Sequence, residues 1–476
     1  MAITRRRFLT RSGLLAAGGL LGPGLFAHPL VRNAFAETIG DRYFVIIYLD
    51  GGNDGLNTVT PIDNGASGAL RTAYEQARGT GGGGLRLAAN QILGSPGGGA
   101  PALVDPGSGS AIGLHPGLAG LHRLYAQGKV AVVQGCGYPD YNLSHDESRK
   151  IWERALPNGG TLPGGWLGRY LAANYGGSDI PGVNMRSSLA GEFAQSVTSV
   201  LTLDNVRDFG FPYDSSFSSD RDEKRTAFLA LCEDAAASGQ GELAYVGSSA
   251  RATLLSSESY PALHDLYEDE RPTFDAAYNG LDTSLAGDLR EMAKVIYGVS
   301  TGAPNVGARF FQATNGGYDT HSDQGAGESD GQHTRLHREL GDALELFYED
   351  CTDMGVADKV CVMVWSEFSR RIEQNDNGTD HGSQGPVFVI GGGVNGGVYG
   401  NHPDIRQNSI DDSGNTRYSQ DAGDPYRSTD IRDIYGTILT RWLNMPEATV
   451  LSSILPQDGG DPARFWTAPN FNLGLL

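Results

Sequence analysis

The sequence predicts an α/β protein: a mostly parallel central sheet with helices on both faces, in one large domain carrying cap or insertion segments. Three observations point there. Apolar runs of strand length, at residues 43–49, 129–133 and 359–365, are continuous rather than alternating, as in strands buried on both faces. Between them lie amphipathic stretches with apolar residues three and four apart, as on a helix with one buried stripe. The strands give way to loops rich in glycine and acidic residues, and in open α/β sheets ligands bind outside the carboxyl ends of strands.

In order, the chain opens with residues 1–36, which read as a cleavable export signal. Arg5 and Arg6 form a twin-arginine pair, residues 14–27 a short glycine-broken apolar run, and Ala34-Phe35-Ala36 a cleavage site. That run is too short and interrupted for a permanent membrane span. Residues 37–476 then form the single domain. Strand 43–49 ends in the turn Asp50-Gly-Gly-Asn-Asp-Gly-Leu-Asn57. Residues 66–74 are weakly helical, and 79–113 read as a glycine-rich surface excursion from which no core can be built. A short helix at 118–125 and strand 129–133 follow. Ser144 and Glu147 have capping-box spacing, so Ser144 starts a helix that runs through Trp152. After a helix at 165–175, the mixed pattern of residues 179–259 (short strands, Asp- and Ser-rich loops such as 214–222, then a helical piece around Phe228) reads as part of an inserted cap around 179–280. Helix 281–298, strand 308–314, helix 331–354, strands 359–365 and 386–390, and helix 430–443 complete the alternation.

The chain carries 56 acidic against 36 basic residues, a net charge of −20. The export signal holds five arginines and no acid, so its removal leaves −25. Such a surface repels phosphate backbones and anionic lipid, which excludes nucleic acid as a partner and also serves solubility. Cys136, Cys232, Cys351 and Cys361 have no metal-knuckle spacing; a disulfide between two of them stays open.

Carboxylates and histidines recur where strands end: Asp50, the loop to Ser144, Asp319-x-His321, Glu367, and the loop with Asp380-His381. Carboxylate oxygens mixed with imidazole suit a divalent metal, and metals beside a hydroxyl at a helix N-terminus suit displacement at phosphorus or sulfur. Each residue alone has a plainer reading. Asp50 and Asp54 could cap a turn, Ser144 a helix, and His333 and His337 could line a helix face. Arg370 and Arg371 either bind an anionic substrate or pair with the acidic surface. The ensemble is the signal. Gly391-Gly-Gly and Gly51-Gly52 do not form G-x-G-x-x-G before a helix, which disfavours a dinucleotide oxidoreductase.

Residues 49–57, 113–116, Ser144-His145 with Trp152, 317–321, 365–371, 378–382 and 392–400 carry a resemblance over essentially the whole mature chain. On these stretches the sequence resembles the DUF1501 family, exported sulfatase-like members of the alkaline phosphatase superfamily. The resemblance implies an alkaline-phosphatase-like fold, metal ligands at Asp50, Asp319, His321, Glu367 and His381, and a nucleophile at Ser144. Two departures stand out. The superfamily's phosphatases space the Asp and His as D-x-x-x-H where this chain has Asp319-x-His321. They carry Asp-His where it has Glu367-Phe368, one imidazole short of a two-zinc site.

The expected activity is hydrolysis of phosphate or sulfate esters, in the periplasm or outside the cell after passage through the twin-arginine translocation machinery. The substrate would be a small or polymeric anionic ester. Asp50, Asp54, Asp319, His321, Glu367 and His381 form the expected metal set, holding one or two ions of Zn, Mn, Fe, Mg or Ca. Ser144 and His145 are the expected catalytic pair, with Asn53 and Arg370 on the substrate. The alternative is a catalytically degenerate member of the same fold acting as a secreted binding or assembly protein.

Overall fold

The structure is a computed structural model that describes residues 40–476 except 66–68, 81–82, 97–101, 158–161, 177–178, 186–187, 195–198, 211–217, 407–422, 426 and 456–468. The export signal expected at 1–36 lies outside the described residues. Among the described residues no helix is long and apolar enough to cross a membrane.

The chain is an α/β protein built on a nine-stranded sheet. In chain order the strands are β1 (Tyr43–Asp50), β2 (Val59–Pro61), β3 (Leu103–Val104), β4 (Ala111–Leu114), β5 (Val130–Gly137), β6 (Gly182–Met185), β7 (Val200–Leu203), β8 (Phe310–Gly316), β9 (Val360–Ser366), β10 (Ser369–Arg370), β11 (His381–Gly382), β12 (Gly385–Ile390), β13 (Gly397–Tyr399) and β14 (Thr429–Asp430). The large sheet runs β13-β5-β12-β9-β1-β8-β6-β7, with β14 also on β5. β12 alone runs against its neighbours, so the sheet is mixed but mostly parallel.

β1 is central because its sequence is apolar on both sides. Tyr43, Val45, Ile47 and Leu49 enter one core; Phe44, Ile46 and Tyr48 enter the other. β9 divides in the same way, with Val360, Val362 and Val364 on one face and Cys361, Met363 and Trp365 on the opposite one. Helices Ala119–Ala126, Ser284–Thr301 and Gln332–Asp353 cover the first face. Helices Trp166–Asn174 and Ile431–Thr437 cover the second. Each fully buried aliphatic or aromatic side chain contributes about 1.5–3 kcal/mol, so these two cores fix the sheet and the edge where its strands end.

That edge is level. In the register Leu49 stands opposite Asn315 and Ser366, so β1, β8 and β9 end together. Because β12 is reversed, the segment that precedes it arrives at the same edge, and that segment carries His381.

Several expectations need correction. Residues 79–113 do contribute to a core: Leu85, Leu87, Ile92, Leu103 and Ile112 are buried, and β2, β3 and β4 form a small antiparallel sheet. Sparse apolar residues between glycines hid it, because they form no continuous or periodic run. The stretch read as a cap begins as β6 and β7 of the main sheet, short strands without a long apolar run. It continues as helices Ser218–Ala237 and Gly241–Glu270. These lie at the amino edge of the sheet, where Ser256 donates to the Asn305 carbonyl, and they border a cleft with Ile180, Pro181 and Val306. The first helix, legible only as a helical piece around Phe228, buries only Cys232 among its described side chains, so no apolar stripe marks its full length. All four cysteines are free and buried.

Candidate metal centre

The site is built where β1, β8 and β9 end. β9 runs out into Ser366 and Glu367, and the chain folds into a short hairpin in which Arg370 stands opposite His381. β8 runs into Gly316-Gly317-Tyr318-Asp319, and the loop after β5 ends at Ser144, the N-cap of helix His145–Arg154. The expected capping box is absent: the Ser144 side chain makes no capping hydrogen bond, and Glu147 pairs with Lys150 instead. The Ser148 hydroxyl bonds the Glu367 carbonyl and ties this helix to the end of β9.

Two glycines let these segments touch. Gly51 sits at φ +120°, and a Cβ on it would stand 2.3 Å from the Asp319 amide nitrogen. A Cβ on Gly378 would lie 2.3 Å from the His321 backbone. Gly51→Ala is therefore expected to displace the Asp319 loop, through both left-handed strain and overlap. The measurement is metal affinity together with thermal stability; wild-type values for both would contradict the close approach.

Side chains from the loop after β8, the hairpin strand β11 and one helix converge here. Donor atoms of His145, Asp319 and His381 all lie within 4.8 Å of one another. His145 Nε2 is 3.4 Å from Asp319 Oδ2, and His381 Nε2 is 3.4 Å from Asp319 Oδ1. His321 extends the group, its Nε2 3.1 Å from Asp319 Oδ1 and 2.9 Å from His381 Nε2.

The outer nitrogens decide the chemistry. His145 Nδ1 lies 2.6 Å from Glu367 Oε1, His321 Nδ1 3.1 Å from Asp380 Oδ1, and His381 Nδ1 2.7 Å from the Leu143 carbonyl. Carboxylates and carbonyls only accept, so each Nδ1 carries the proton and donates it. Each Nε2 then turns a lone pair towards Asp319. Buried His145 Nε2 has no hydrogen-bond partner, and the two facing lone pairs of His321 and His381 repel unless a proton or a cation lies between them. Donors about 2.0–2.1 Å from one tetrahedral ion stand roughly 3.4 Å apart. The residues fit a divalent cation.

Burial lowers the pKa of His381, which favours the neutral ligand form. The hydrogen bond that His145 donates to Glu367 raises that of His145 against the effect of burial, so a metal ion must displace a proton there. Burial works against the charge of Asp319, but the Arg370 guanidinium, 2.7 Å away, outweighs it and holds the carboxyl below its ordinary range. The Phe368 ring packs beside both His145 and His381, with centroids 4.9 and 4.6 Å away. Glu367 is fully buried, whereas the side chains of Asp319 and His321 are 49% and 46% exposed, so the cluster has a dry floor and an open mouth.

Other expected site residues fall elsewhere. Asp50 accepts from the Tyr48 hydroxyl at 3.0 Å and does not join the mutually close donors. Glu367 stands behind His145 and also accepts from the Gly51 amide and the Ser366 hydroxyl, which commits it to positioning rather than ligation. Arg370 is buried, bonding the carbonyls of Gly51, Gly52, Tyr318 and Thr379 besides Asp319; it braces the loops and leaves no free face for substrate. Asp54 is wholly buried in a two-bond pair with Arg78, with Gln324 on the same carboxylate, so it leaves the ligand set. Asn53 turns inward, its Oδ1 3.0 Å from both His333 Nε2 and the Thr58 hydroxyl. Sequence reasoning missed the role of Asp380: it lies beside His381 in the chain yet clamps His321, which the loop fold alone determines.

Beneath the Asn53 turn, His115, His333 and His337 form a fully buried group with ring centroids 4.0–5.1 Å apart. Burial pushes His115 down to about 4 and His333 to about 3, and His337 well below its usual value. All three are neutral in the fold but take up protons near pH 6.5 once unfolded. The unfolded chain therefore binds more protons as pH falls, and stability drops from about pH 6.5 towards 4. Each unit of depression is worth about 1.4 kcal/mol, so His115 alone accounts for roughly 3 kcal/mol by pH 4. A urea midpoint that is clearly lower at pH 5 than at pH 7.5 is expected. A flat profile across that range would refute the neutral buried group.

Fold and cluster together define an α/β protein with a histidine–carboxylate centre at the carboxyl edge of its sheet. A family model described as a protein of unknown function, DUF1501, matches residues 136–422, more than half of the chain, and the chain belongs to that family. The match contains His145, Asp319, His321, Glu367, Asp380 and His381; Asp50 lies before it. No curated protein matches the chain.

Proposed function

We propose that the protein is an exported metal-dependent hydrolase of phosphate or sulfate esters, working with one ion held by Asp319, His145 and His381, with His321 beside them. The observation that carries this reading is the set of three Nε2 lone pairs turned on one carboxylate, each fixed by an acceptor behind it. An imidazole-rich set with one carboxylate favours Zn²⁺, Fe²⁺ or Mn²⁺ over Mg²⁺ or Ca²⁺. With Asp50, Asp54 and Glu367 engaged with other partners, one ion rather than two is the count this reading takes. When bound, such an ion supplies Lewis acidity at an ester oxygen.

The chain's own groups then divide the work. Exposed Ser144 stands next to His145 at the start of its helix and is the candidate nucleophile. Its Oγ would form a bond to phosphorus or sulfur as the bond to the ester oxygen breaks; the hydroxyl proton passes by way of solvent to the departing oxygen, which leaves as the alcohol, and water later releases the acid. Asp146 and Glu147 on the first turn weaken the pull of the helix amides on an anion. The ion is then the main source of positive charge at the mouth. Arg370 holds Asp319 in place, and Glu367 keeps His145 in the tautomer that offers Nε2.

The test is metal content followed by turnover of aryl phosphate and aryl sulfate, wild type against Ser144→Ala. Stoichiometric metal in both proteins, with turnover at least ~100-fold lower in the variant, is expected. Undiminished turnover by Ser144→Ala would remove the covalent step. A metal-loaded wild type inert to both ester classes would favour the secreted binding protein.

A further inference from the structure

A polar cleft of about 490 Å³ lies at the same strand-end edge as the centre, between the end of β8 and the start of helix Ser284–Thr301. Asp282, Thr283, Ser284, Thr314, Asn315 and Glu339 line it. Its floor at Gly316 lies three residues before Asp319, so at ~3.8 Å per residue it stands within about 11 Å of that ligand's Cα. We propose that this cleft binds the alcohol portion of the ester, and that this portion is a neutral polyhydroxylated group, a sugar or polyol.

The inference rests on the hydrolase reading and adds the substrate class. Asp282 and Glu339 are carboxylates, so a second anionic group is repelled and the phosphate or sulfate must lie towards the metal. What remains are donors and acceptors in alternation. The Thr314 hydroxyl oxygen accepts from Gln312 Nε2 at 3.1 Å, and that of Thr283 from the Ala286 amide at 3.2 Å. Both therefore keep a proton to give a ligand oxygen. Asn315 is 6% exposed and directs its Nδ2 to the Tyr318 hydroxyl, leaving its amide oxygen to accept along with the two carboxylates. A hydroxyl group both donates and accepts, so vicinal hydroxyls match this lining. A primary ammonium group would pair with Asp282 and Glu339 instead, and ethanolamine is the probe that tests for it.

The experiment is saturation-transfer NMR on the mature protein with myo-inositol, glucose and ethanolamine as separate probes. It is run on wild type, Glu339→Gln and Thr314→Val, with circular dichroism to confirm folding. Turnover is not needed. A polyol signal in wild type, with binding about 3- to 10-fold weaker in either folded variant, is expected for the loss of one ligand hydrogen bond. No polyol binding, equal binding by the variants, or binding of ethanolamine alone overturns the proposal. A separate metal titration distinguishes the two readings: metal binding without polyol binding removes only this inference, whereas polyol binding without metal binding removes the hydrolase reading.

Discussion

Asp319→Ala is expected to abolish stoichiometric binding of a divalent transition metal. Asp319 is the shared neighbour of the centre, 3.1–3.4 Å from His145, His321 and His381. Its removal takes away the anionic donor and leaves Arg370, which now pairs with it, as an uncompensated cation beside the imidazoles. Both effects act against a metal ion. Loss of a residue behind a ligand typically costs 10–100-fold in metal affinity, so loss of Asp319 should exceed ~100-fold. Calorimetric titration with Zn²⁺, and elemental analysis of protein purified from its native compartment, provide the measurement. Because Asp319 is half exposed, the fold should survive, and the urea midpoint is the control. Zn²⁺ affinity equal to that of wild type would remove the centre from consideration.

Arg78→Met carries the largest expected cost in stability. Asp54 and Arg78 are both fully buried, their side chains 0% exposed, and two bonds of 2.7 and 2.9 Å join them. Burial raises the cost of the Asp54 charge, but the Arg78 guanidinium, with a hydrogen bond from Gln324, holds its carboxyl below the usual range. Deleting one partner of such a pair leaves an unpaired charge in the interior, at about 3–5 kcal/mol. Arg78 also bonds the carbonyls of Arg371 and Ile372, so the loop towards Asp380 should loosen as well. The urea midpoint should fall without much change in slope. Asp54→Leu with Arg78→Met should cost less than Arg78→Met alone, because the stranded charge is then gone. A single variant as stable as wild type would mean that the pair is not ionised.

These two residues mark where sequence reasoning stopped. Asp54 and Asp50 share one turn with the same chemistry, and both read as ligands. Only the tertiary structure shows Arg78 arriving from helix Leu70–Ala77 to claim Asp54. Glu367 and Arg370 were legible as site residues by position. Their roles depend on whether each side chain points into the mouth or behind it, and spacing in a loop does not encode that. His321 and His381 were legible as neighbours at one edge because the first follows a strand end and the second precedes a reversed strand.

The sequence by itself determined the class of fold, the strands β1, β5, β8 and β9, and the edge at which acid and imidazole would meet. Those follow from burial, a local property written into every apolar run. The tertiary structure alone decided which residues converge, that β12 runs backwards, and that the supposed cap packs at the far edge. Those depend on contacts between segments as distant as His145 and Glu367, or His321 and Asp380, whose partners are set by the packing of the whole sheet.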